Sequence, residues 1–129
     1  NQLNLVNQVP EIVDLYWPGP LTAVVETNEE FADGVGTKQP HTIGLRVPEN
    51  ETALQLLNEI GPLAVTSANV SGEKEATDND EAFTMFGDDI AYYLEGKAVH
   101  GDGSTVVDFR VTGGEILRQG PLKWPPTYC

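Results

Sequence analysis

The stretch from Gly61 to Gly72, GPLAVTSANVSG, constrains this chain more than any other. A Gly-Pro break is followed by three apolar residues and then by small polar ones: Thr66, Ser67, Asn69 and Ser71. The apolar run, residues 63–65, predicts a short buried strand. A turn rich in hydroxyls and carboxamide follows at its carboxyl end. In open α/β sheets that is where ligands bind. Such side chains can hydrogen-bond a phosphate or a carboxylate without adding charge. Taken alone, the same composition also describes an ordinary solvated turn closed by Gly72.

The rest of the chain reads as alternating strands and helices. Pro10 predicts a helix start, and Val9, Ile12, Val13 and Tyr16 form an i, i+3, i+4, i+7 stripe. Trp17-Pro18-Gly19-Pro20 stops it. Residues 21–26 predict a strand, residues 27–41 a surface loop, and residues 43–47 a second strand with Gly44 and Arg46 on one face. Asn50 is a good N-cap for a helix whose stripe is Ala53, Leu56, Leu57 and Ile60, closed by Gly61-Pro62. A short helix capped by Thr77 or Asp80 and stopped at Gly87 follows. Residues 90–94, 105–109 and 115–118 predict strands, the last two joined by a Gly113-Gly114 hairpin turn. The proline-rich tail predicts an irregular end. Six strands and three helices in mixed order argue α/β: one domain with a twisted sheet of mixed strand direction and flanking helices.

Charge narrows the function classes. Twenty acidic against seven basic residues give a net charge of −13. Such a chain repels nucleic-acid backbones, so direct RNA binding is disfavoured. Its few arginines, Arg46, Arg110 and Arg118, must be placed where an anion needs them. No run of 18 apolar residues is present, and the first residues carry neither the basic nor the apolar region of a secretory leader. The single cysteine, Cys129, allows no internal disulfide. His41, His100, the Asp88-Asp89 pair and Asp102 are scattered, so no protein metal site is assigned. There is no Walker loop, no dinucleotide fingerprint and no serine-elbow motif.

Five segments in order carry a resemblance: Trp17-Pro18-Gly19-Pro20-Leu21-Thr22, Thr42-Ile43-Gly44-Leu45-Arg46-Val47-Pro48, Ser67-Ala68-Asn69-Val70-Ser71-Gly72, Ser104-Thr105-Val106-Val107-Asp108 and Ile116-Leu117-Arg118-Gln119-Gly120. Together they resemble the YrdC-like family, the threonylcarbamoyl-adenylate synthases. The resemblance implies the joining of L-threonine, bicarbonate and ATP into threonylcarbamoyl-AMP, with Mg²⁺ carried on the ATP phosphates. It implies a cytoplasmic enzyme that supplies tRNA-modification proteins downstream.

The same resemblance implies the site. Arg46 would hold the threonine carboxylate, with Val65 offering backbone and Ser104 completing the threonine pocket. Thr42, Ser67 and Arg118 would lie against ATP, and Asn69 would brace the turn. No covalent catalytic residue is implied. The family's Pro-Thr-Glu-Thr-x-Tyr-Gly-Leu and Lys-x-Arg elements have no counterpart here. Residues 1–129 would then be about the C-terminal two-thirds of such a domain, and the segment alone would be inactive. Two other readings stay open: the related domain of a hydrogenase-maturation carbamoyltransferase, and a non-catalytic remnant that binds nucleotide or RNA.

Overall fold

The computed structural model describes residues 9–98 and 103–126. The loose start assigned to residues 1–8, and His100, Asp102 and Cys129, lie outside the described residues. The chain divides into two compact units, Asn1–Ala64 with Asp102–Cys129 and Val65–Gly101.

The first unit is built on a five-stranded sheet. Strand β1 (Leu21–Glu26) is central, β2 (Thr37–Lys38) and β3 (His41–Leu45) lie on one side, and β4 (Thr105–Asp108) and β5 (Glu115–Arg118) on the other. β1 runs antiparallel to β3 and parallel to β4, and β4 runs antiparallel to β5. Mixed direction was legible from the hairpin between β4 and β5; Gly113 and Gly114 take φ of 85° and 79° in its turn. β2 was not legible. Its two residues lie inside the predicted loop, and Thr37 pairs with Thr42.

Alternation on β1 sorts the two faces. Leu21, Ala23 and Val25 are buried, whereas Thr22 and Val24 are half-buried. On the buried side Val13, Leu21, Val107 and Trp124 form the core, with Val25 and Ile43 as a second cluster. Tyr16 and Phe109 meet the Trp124 ring edge-on, with centroids 6.0 and 5.4 Å away. The tail expected to be irregular therefore supplies a core residue.

The remaining differences have local causes. The stripe after Pro10 becomes a 3₁₀ turn, Glu11–Leu15, because Pro18 disfavours α geometry at Trp17 and leaves too few residues for a stable α-helix. Helix α1 (Glu51–Ile60) forms as expected, with Asn50 Oδ1 accepting from Ala53 N at 2.9 Å. None of its residues is buried. Residues 63–65 are not a strand, and Val65 is 87% exposed. Among the described residues no neighbouring strand pairs with that run, and an apolar triplet without a ladder partner has no reason to be one.

In the second unit, α2 (Asn79–Phe86) is capped by Asp78 rather than by its neighbours. Asp78 Oδ1 accepts from Glu81 N, and Glu81 Oε2 accepts from Thr77 N, a reciprocal cap. Residues 90–94 are not a strand. Tyr93 instead packs edge-on against Phe83 and donates to Gly87 O at 2.7 Å. Among the described residues no helix is long and apolar enough to cross a membrane.

Candidate functional site

The face of the sheet away from the core gathers polar groups. Register places Val24 of β1 beside Gly44 of β3 and Asp108 of β4, and Thr22 beside Val106. Ser104, just before β4, shares that side and is 4% exposed. Its Oγ lies 2.7 Å from Thr22 Oγ1.

Arg118 reaches this face through a β-bulge. Ile116 pairs with Val107 on the core side, yet Arg118 pairs with Val106 on the polar side. Two steps along β5 match one step along β4, which turns the arginine over. Its Nε and Nη2 donate to Ser104 O at 3.1 and 2.9 Å, and Nη2 also reaches Ser104 Oγ at 3.2 Å. The chain beyond β5 is fixed by one buried hydroxyl. Thr105 Oγ1 donates to Leu122 O and accepts from Gly120 N and Leu122 N.

Arg46 stands at the end of β3. Its Nε donates to Gly19 O at 3.2 Å, and the next carbonyl, Pro20 O, accepts from Thr105 N at 2.8 Å. The anchors of Arg46 and Arg118 are thus joined through adjacent backbone. Burial first, and the Arg118 charge second, hold the Arg46 guanidinium below its ordinary pKa. Among the described residues no carboxylate pairs with either arginine. Two guanidinium groups held by carbonyls in a chain of net charge −13 form a corner suited to an anion.

The third arginine is differently engaged. Arg110 binds Asp108 through Nε at 2.9 and 3.1 Å and through Nη2. Those bonds hold the Asp108 carboxyl below the usual carboxylate range, against the opposing effect of its burial. A depressed carboxyl adds stability above its unfolded pKa of about 4, and that stability is lost as pH falls through the lower folded value. Asp108→Asn should therefore lower the melting temperature by about 5 °C at pH 7. The gap from wild type should stay constant down to about pH 5 and close below pH 4. Melting curves from pH 7 to pH 2.5 check this; a gap that ignores pH would contradict it.

The other expected site residues divide between the two units. Thr42 is on the polar face but bonds Thr37 Oγ1 at 2.7 Å, and lies roughly 13 Å along β3 from Arg46. Val65, Ser67 and Asn69 belong to the second unit. Ser67 is exposed. Asn69 Nδ2 donates to Val70 O and Glu73 O, which braces its turn, while its buried Oδ1 has no partner. Thr22 was missed by the sequence reading, although alternation along residues 21–26 already sets it opposite the core. The Asp108–Arg110 pair was missed too; only an acid and an arginine two residues apart at a strand end hinted at it.

A family model, Sua5/YciO/YrdC, described as "Telomere recombination", matches residues 2–120. A Mycobacterium tuberculosis protein is 37% identical over 113 residues, covering 87% of this chain and 52% of that protein. The threonylcarbamoyl-AMP synthase of Pyrococcus abyssi is 32% identical over 124 residues, covering 92% of this chain and 36% of its own. The human threonylcarbamoyl-AMP synthase is 35% identical over 125 residues, 88% of this chain and 43% of its own. The chain thus spans about half, or less, of the length of these relatives. Among solved structures, P. abyssi Sua5 complexed with L-threonine superimposes with a TM-score of 0.78 at 32% identity, covering 88% of this chain and 35% of that one. Escherichia coli YciO shares the fold, with a TM-score of 0.66 at 24% identity, covering 84% of this chain and 53% of that one.

Proposed function

Because the chain belongs to the Sua5/YciO/YrdC family, we propose that it is part of a threonylcarbamoyl-AMP synthase and that the corner at Arg46, Ser104 and Arg118 receives L-threonine beside the nucleotide. The observation that carries this reading is the likeness to the P. abyssi protein complexed with L-threonine. The corner itself supports it, because a carboxylate needs a planar fork of donors and Arg46 has one with a single N–H engaged. In this reading Arg46 holds the threonine carboxylate and Ser104 Oγ reaches the amino acid. Thr42 and Arg118 contact ATP, whose phosphates carry Mg²⁺ as part of the substrate.

The reaction would be a substitution at the α-phosphorus. The threonine amine bonds to the bicarbonate carbon as a C–O bond breaks and water leaves, giving a carbamate; a carbamate oxygen then bonds to the α-phosphorus as the bond to pyrophosphate breaks. Such a transfer relies on alignment and on stabilising charge rather than on a covalent nucleophile. The hydrogen bond from Arg118 to Ser104 sets a nucleotide contact directly against a threonine contact. The product would pass to tRNA-modification proteins in the cytoplasm.

The test is an assay of the whole protein that carries this chain, with L-threonine, bicarbonate, labelled ATP and Mg²⁺. Pyrophosphate should appear only when all of them are present. Release that does not depend on threonine would overturn the reading.

A further inference from the structure

Thr22 lies in the corner against Ser104, the residue that anchors Arg118. Its two γ-substituents have different neighbours. The hydroxyl meets Ser104 Oγ at 2.7 Å. The methyl faces Gly44, so close that a Cβ there would lie 3.1 Å from Cγ2. A β-branched side chain is stiff about its first torsion, and a methyl seated against Gly44 holds the hydroxyl on the Ser104 side. Ser104 is in turn bonded to Arg118 through both its carbonyl and its hydroxyl. The result is a chain of contacts, Gly44–Thr22–Ser104–Arg118, running across β3, β1, the start of β4 and β5.

We propose that Thr22 is a positioning residue for the threonine site: its hydroxyl holds the Ser104 hydroxyl in the orientation that receives L-threonine. This rests on the reading of Ser104 as a threonine contact. A free serine hydroxyl turns among three staggered positions. With Thr22 on one side and Arg118 on the other, Ser104 Oγ presents one remaining direction to a ligand. Either hydroxyl can donate in this contact, and in both cases Ser104 Oγ keeps one hydrogen-bonding position for an amino-acid ligand.

The experiment compares L-threonine affinity in the whole protein that carries this chain for wild type, Thr22→Val, Thr22→Ser, Ser104→Ala and the Thr22→Val/Ser104→Ala double variant. NMR titration reads the affinities, and dispersed β1 amide signals check that each variant is folded; Thr22→Ala replaces Thr22→Val if the latter does not fold. Thr22→Val keeps the shape and removes the hydroxyl, so affinity should fall roughly five- to tenfold. Thr22→Ser keeps the hydroxyl and should stay within about twofold. The double variant should bind no more weakly than Ser104→Ala alone, since both act through one hydroxyl. Wild-type affinity in Thr22→Val, equal losses in Thr22→Val and Thr22→Ser, or additive losses in the double variant would overturn the proposal while leaving the threonine site standing. Wild-type affinity in Ser104→Ala, or no threonine binding by wild type, would instead overturn the reading of the site, and the role of Thr22 with it.

Discussion

Gly120→Ala should destabilise the first unit by about 3 kcal/mol or more. A Cβ at Gly120 would lie 2.5 Å from Ser104 C and Thr105 N, and 2.7 Å from Ser104 O. All three atoms are backbone at the start of β4, so no side chain can swing aside to make room. Either the segment after β5 moves away or β4 does. If the segment moves, Gly120 N and Leu122 N lose Thr105 Oγ1, and a hydroxyl on a fully buried residue is left short of partners. The damage also reaches the functional corner, because Ser104 is the residue pressed upon. Urea unfolding reads the effect. The midpoint should fall sharply with little change in slope. A midpoint equal to that of wild type would show that the close approach of Gly120 is not there.

Arg46→Lys should weaken L-threonine binding by roughly ten- to a hundredfold. Lysine keeps the charge, so a purely Coulombic role would survive the exchange. What it loses is the planar fork that binds both oxygens of a carboxylate while another N–H stays on Gly19 O. One charge-assisted hydrogen bond is worth about 1.5–3 kcal/mol, which gives the stated range at ~1.4 kcal/mol per tenfold. Stability should change little, because Arg46 stands at the end of β3 and its side chain bonds only a carbonyl. Calorimetric titration of both forms checks this. Equal affinities would remove Arg46 from the threonine contacts.

Parts of this architecture were legible residue by residue. The LTAVVE run alternates cleanly, and it is the central strand. Asn50 caps α1 as its position before an acidic first turn implies. The hairpin through Gly113-Gly114 foretold antiparallel pairing at one edge. What failed was whatever depends on partners distant in sequence. Residues 63–65 look like a buried strand by composition, yet a strand exists only where another strand meets it. Arg118 by period two belongs with Ile116 on the core side; a single bulge reverses that, and nothing in EILR announces a bulge. The chain after β5 is irregular, as its prolines imply, but nothing in that pattern signals that Trp124 packs against Val13, Leu21 and Val107.

The candidate site divides the same way. Arg46, Ser104 and Arg118 lie 58 to 72 positions apart across the middle of the chain or 14 apart near its end, and no periodicity links them. The family motifs assign Arg46 and Ser104 to threonine and Arg118 to ATP, and the sheet brings the three together through the Pro20–Thr105 bond and the bulge. Thr22 needed only alternation to be placed on the right face. Its partner, Ser104, is 82 residues away, so the contact itself required the fold.

The three arginines provide the most direct measurement. Arg46, Arg110 and Arg118 are the only ones in the sequence, so their side-chain Nε–H signals in a ¹⁵N-labelled 129-residue chain can be followed separately during titration with L-threonine. Arg46 is held at a carbonyl with its fork open, whereas Arg110 is engaged by Asp108. The account predicts that the Arg46 signal moves saturably with added threonine, that Arg118 follows to a smaller extent through Ser104, and that Arg110 stays still. An Arg46 signal that does not move, or three signals that move alike, would contradict it.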